Sequence, residues 1–118
     1  MASSNPARPS AGLRLCAVAD LADPGAKGFR FREGTTLFAG FLVRRGEDVT
    51  GFVDSCPHAG WPLGSIDERY LTRDGTHILC AGHGALFDLD GGCVAGPCYR
   101  ERLQPWRVEV RDGEVFTL

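Results

Sequence analysis

The sequence predicts an all-β domain, and three observations carry that expectation. Its 118 residues include 16 glycines and 7 prolines, a supply of turn formers that antiparallel sheets need and a helical bundle does not. The apolar residues fall in short runs rich in Val, Leu, Phe and Thr, each bounded by Gly, Asp, Glu or Pro. Helical periodicity is sustained nowhere beyond residues 18–21. An antiparallel sandwich or barrel of about eight to ten short strands satisfies all three.

Taken in order, residues 1–11 offer only Ser, Asn, Pro, Ala and Arg around the initiating Met and are expected to be a disordered leader. The domain proper is then 12–118. Strands are expected over 13–19, 28–32, 36–44, 49–54, 77–80, 85–89, 106–111 and 114–118. Alternation is clearest where Phe29 and Phe31 interleave with Arg30 and Arg32, and where Trp106, Val108 and Val110 interleave with Arg107, Glu109 and Arg111. Those strands should each bury one face. Residues 46–48, 73–75, 90–92 and 111–113 read as hairpin turns, the Asp-Gly pairs being the strongest signal. No internal repeat is visible.

Thirteen basic against fifteen acidic side chains give a formal charge of −2, and no segment concentrates Lys or Arg as a nucleic-acid or anionic-membrane footprint would. The first residues lack an apolar core for a secretory signal, and no window approaches the length needed to span a bilayer. A cytoplasmic protein without nucleic-acid or membrane partners is the expectation. Five cysteines and three histidines are too few and too odd for a disulfide scaffold, and fit metal ligands plus spare thiols.

Two segments carry chemistry: Cys56-Pro57-His58 and Cys80-Ala81-Gly82-His83. Each pairs one thiol with one imidazole. Twenty-one residues separate His58 from Cys80, room for a hairpin that leaves one ligand loop and returns beside it. Gly60, Pro62, Gly64, Gly82 and Gly84 surround them, the small or rigid backbones that two loops need to close over an inorganic core. A structural zinc site is one reading of two Cys and two His. Zinc fingers, however, keep like ligands together, whereas each motif here is mixed. A mixed pair suits a two-iron cluster with both thiolates on one iron and both imidazoles on the other.

The stretches C-P-H-A-G-W-P-L at 56–63 and C-A-G-H-G-A-L-F-D at 80–88 resemble the two ligand loops of the Rieske [2Fe-2S] family. Gly96-Pro97 is similar to that family's third, proline-containing loop, and the likeness runs over about residues 13–118. It implies a Rieske-like antiparallel β-sandwich or barrel with a small cluster-binding subdomain made by those loops. It further implies one [2Fe-2S] cluster, with Cys56 and Cys80 on the inner iron and His58 and His83 on the outer. Respiratory members add a disulfide between the loops, and the matching positions here are Trp61 and Gly82. They also place Ser and Tyr hydroxyls beside the cluster sulfurs, where this chain has Ala85 and Phe87. Without those donors the expected potential sits low in the Rieske range, on the order of −150 mV.

The resemblance implies a ferredoxin: a one-electron carrier, not an enzyme, between a flavin reductase and a terminal oxidoreductase such as an oxygenase. A small subunit of a larger reductase complex is the alternative, and a zinc-bound structural module a more remote one. Trp61, Pro62, Leu63 and Ala85 are expected to rim a docking surface around His58 and His83. The span between the loops is longer than is usual for oxygenase ferredoxins, with the surplus around 67–74, where Tyr70 and Leu71 read as ordinary sheet residues. His77 reads as solvent-facing, Cys16 and Trp106 as core. Cys93 and Cys98 read first as buried thiols, with a Cys93–Cys98 disulfide or a Cys98 thiol tuning the cluster as alternatives.

Overall fold

The longest apolar run becomes the centre of the molecule. The structure is a computed structural model that describes residues 7–54, 70–72, 74–80, 85–95 and 102–118, with Cys80 and Ala85 described in their backbone alone. Among them the strands are β1 (Arg14–Ala17), β2 (Gly25–Glu33), β3 (Thr36–Arg45), β4 (Asp48–Val53), β5 (Ile78–Cys80), β6 (Ala85–Phe87), β7 (Cys93–Ala95), β8 (Val108–Arg111) and β9 (Glu114–Thr117). They form three antiparallel sheets, ordered β2-β3-β4, β1-β9-β8 and β5-β6-β7. The all-β expectation holds, and residues 18–20 form a single 3-10 turn rather than the end of a strand.

The β2-β3-β4 sheet is the middle layer, because β3 is covered on both faces. Phe41 and Val43 point into one core with Phe52, Tyr70, Ile78, Phe87, Leu89 and Leu103. Phe38 and Leu42, on the opposite parity, enter a second core with Cys16, Leu21, Trp106 and Val115. A strand buried on both sides reads as a continuous apolar run, which is what Leu37–Val43 spells. Phe29 and Phe31 flank Trp106 at centroid distances of 6.1 Å, and Phe38 approaches it at 5.3 Å, all edge-on. Gly40 leaves room for that indole, since a Cβ there would lie 2.5 Å from its Cε3.

Turn chemistry sets the register. The β8–β9 connection is Asp112-Gly113, at φ 50° and 74°, with Arg111 paired to Glu114. Two consecutive positive φ values suit the two-residue hairpin that matches strand twist. Gly34 and Gly46 hold positive φ at the β2–β3 and β3–β4 turns.

Several boundaries move. β2 starts at Gly25, three residues before the expected strand, because Gly25, Ala26 and Lys27 pair with Arg44, Val43 and Leu42. β7 had no counterpart among the expected strands: its three residues follow a Gly pair and carry one β-branched side chain, too little for a local signal. Trp106 precedes β8 instead of opening it. Segment 102–106 forms a strap, with Gly92 bridged to Arg102 and Phe52 to Pro105. Its Leu103 N–H donates to Gly91 O at 2.8 Å and its Trp106 N–H to Gly51 O at 2.9 Å.

Of the segment read as a leader, residues 1–6 lie outside the described residues. Ala7 is buried in the second core, the Arg8 guanidinium sits 5.4 Å from the Phe38 ring centroid, and Ser10 O accepts the Thr117 hydroxyl at 2.6 Å. Tertiary contact orders these residues despite a composition that favours disorder.

Candidate metal centre

Two strands of the first core end close in sequence to the proposed ligands. β4 ends at Val53, and Asp54 continues its ladder, donating its N–H to Ala39 O at 2.9 Å. Residues 55–69 lie outside the described set, and with them Cys56, His58 and the Trp61, Pro62 and Leu63 of the expected rim. β5 delivers Cys80 as its last residue, paired with Ala85 at the start of β6. The four residues between, 81–84, include His83 and also lie outside the described set, as do Gly96, Pro97 and Cys98 beyond β7. Of the four expected ligands the structure thus places one backbone, that of Cys80, and brings it to the end of a two-strand ladder.

β5 is held by a segment that precedes it. Segment 70–72 runs antiparallel to β5: Leu71 bridges Ile78, Leu79 N–H donates to Tyr70 O at 2.8 Å, and Thr72 N–H donates to His77 O at 3.0 Å. The surplus between the loops therefore adds a partner to β5. Asp74 closes its turn, accepting from the Thr72 hydroxyl at 2.6 Å, the Thr76 hydroxyl at 2.7 Å and the Thr76 N–H at 3.1 Å. Those donors, the Thr72 hydroxyl first, lower the Asp74 carboxyl to about 2. His77 is half-buried just before β5, its Nδ1 2.8 Å from the Thr76 hydroxyl.

Asp54 is the residue that sequence reasoning missed. It is 6% exposed, and its Oδ2 accepts from the Tyr70 hydroxyl at 3.2 Å. Tyr70 is no ordinary sheet residue: 3% exposed, it stacks on Phe41 with centroids 4.5 Å apart and planes 16° apart. The available signal was a carboxylate ending an apolar strand two residues before Cys56.

Cys16 is a free, buried core thiol, as expected, and burial raises its pKa. Cys93 departs from the first reading. It is half-buried and disulfide-bonded. Among the described residues no group of three or more His, Cys, Asp or Glu could hold a metal.

A strand end bearing Cys80, with His83 three residues further along the chain, and a second strand end from which the chain leads to Cys56 and His58 suit a donor set of two thiolates and two imidazoles. The family profile described as the Rieske [2Fe-2S] domain matches residues 12–111. The chain belongs to the Rieske [2Fe-2S] family. The family implies one Rieske-type [2Fe-2S] cluster and makes the chain an electron-transfer component rather than an enzyme in its own right. Ferredoxin CarAc of Metapseudomonas resinovorans is 32% identical over 88% of this chain and 90% of its own. The ferredoxin of carbazole 1,9a-dioxygenase from Nocardioides aromaticivorans IC177 superposes with a TM-score of 0.70 at 24% identity, over 92% of this chain and 97% of that one, a likeness of fold. A complex of reduced oxygenase and oxidized ferredoxin in carbazole 1,9a-dioxygenase contains a chain that matches at 29% identity and a TM-score of 0.68, over 90% of this chain and 100% of that one. Among the described residues no helix is long and apolar enough to cross a membrane.

Proposed function

We propose that this Rieske protein is a cytoplasmic ferredoxin that takes electrons one at a time from a flavin reductase and delivers them to an oxygenase. Cys56 and Cys80 hold the inner iron, His58 and His83 the outer. The observation that carries the reading is the relationship along almost the whole chain to a ferredoxin, joined to a fold that ends β4 three residues before Cys56 and β5 on Cys80. The cluster held there supplies a single reversible electron. The imidazoles each bind through one nitrogen and keep the other as a donor toward solvent or a partner's carbonyl.

The test uses the purified holoprotein. Wild type is red-brown, gives a Rieske-type paramagnetic signal when reduced, and is reoxidised by an aromatic-ring oxygenase under single turnover. Cys56→Ala and Cys80→Ala lose the colour and the signal. A colourless wild type with one zinc per chain, or an alanine variant with an unchanged spectrum, overturns the ligand set. A reduced holoprotein that no oxygenase reoxidises overturns the partner class and leaves the ligands standing.

A further inference from the structure

We infer that Tyr70 is a positioning residue that fixes the end of β4 relative to the end of β5, an inference that rests on the ligand set proposed above. Two bonds from one residue carry it. The Tyr70 carbonyl accepts the N–H of Leu79 at 2.8 Å, immediately before Cys80. The Tyr70 hydroxyl donates to Asp54 Oδ2 at 3.2 Å, two residues before Cys56. β4 and β5 belong to different sheets and share no ladder, and the strap 102–106 joins those sheets at the β6–β7 turn rather than at the end of β5. Tyr70 joins the two strand ends directly.

The surroundings hold the side chain in this one pose. Phe41 stacks on one face of its ring. Gly28 lies opposite Phe41 in the β2–β3 register, and a Cβ at Gly28 would collide with the Tyr70 hydroxyl. The middle of a strand is a costly place for glycine, and here its missing side chain is the space the phenol occupies. A carboxyl group as buried as Asp54 needs hydrogen-bond partners, and the Tyr70 hydroxyl is one of them. Ring packing alone would be served as well by Phe; the hydroxyl adds a bond to the residue that follows β4.

Tyr70→Phe keeps the ring stacking and the carbonyl bond and removes only the donor. The holoprotein is challenged with an iron chelator, and its midpoint potential and the spectrum of the reduced state are recorded. Tyr70→Phe is expected to lose its colour at least about fivefold faster than wild type, the scale of one ordinary hydrogen bond, and to shift the potential and the signal. Val115→Ala, a cavity in the core remote from Tyr70, is the control: it lowers thermal stability and leaves potential and signal at wild-type values. Gly28→Ala pushes the hydroxyl aside without removing any hydrogen-bonding group, and is expected to move both readouts as Tyr70→Phe does. It decides the matter by the same readouts if Tyr70→Phe does not fold. A smaller change in colour loss with an unmoved potential, or a Val115→Ala protein that reproduces both shifts, overturns the positioning role. If Cys56→Ala keeps the wild-type spectrum, the ligand set has failed instead, and this inference with it.

Discussion

At the scale of single residues, two Cys-and-His motifs separated by a hairpin's length are the proposed ligands, a proposal open to sequence reading because ligand spacing is a local property of the chain. The bond between Asp54 and Tyr70 was not. It joins residues sixteen apart, on segments belonging to different layers, and no local periodicity encodes which phenol will meet which carboxylate. Cys93 failed for the same reason: composition cannot say whether a thiol is bonded. The residue types at 85 and 87 support a quantitative expectation. Phe87 is buried in the first core and, like Ala85, offers no hydroxyl to stabilise added charge on sulfur. A redox titration should place the midpoint on the order of −150 mV, and a clearly positive value would refute the argument from missing donors.

At the scale of elements, most strands were readable from their apolar runs and their Gly or Asp boundaries, and the turns were read best. The Asp112-Gly113 hairpin and the turn at Gly46 follow from residues that tolerate positive φ. Boundaries failed where pairing outran propensity, as at Gly25, or where three residues gave no pattern, as at β7. The hairpin that presents Cys80 also carries a pH dependence. Asp74, with an ordinary value of 3.8, is lowered to about 2 by the hydroxyls of Thr72 and Thr76. A depressed carboxyl contributes stability above its unfolded value, and that contribution disappears as pH falls through the folded one. Asp74→Ala should therefore be less stable than wild type at pH 5, with the difference closing between about pH 4 and pH 2. Denaturant melts at several pH values measure it; a gap independent of pH would show that the turn does not need the charge.

At the scale of the whole molecule, the layer count was the part the sequence left open. Sandwich or barrel was the expectation; the outcome is a middle sheet with a core on each face. The run 36–44 held the clue, but a short apolar run does not reveal how many faces it buries. The strap 102–106 then ties layers together, and its amides report on that role. The N–H groups of Leu103 and Trp106, bonded to Gly91 O and Gly51 O, should exchange with solvent deuterium only through global unfolding. Exchange as fast as that of a free loop would mean the layers open independently.

The strap has a consequence for electron flow. It is stitched at one end to the turn between β6 and β7 and at the other to β4, so among the described residues the sheet that ends in Cys80 is tied to the middle layer. Tunnelling rates fall steeply with distance and with the nuclear rearrangement that accompanies a change of charge. A cluster held as proposed, at the ends of strands braced in this way, would change its surroundings little on each transfer, and the rate at a docked encounter would then follow the partner's approach.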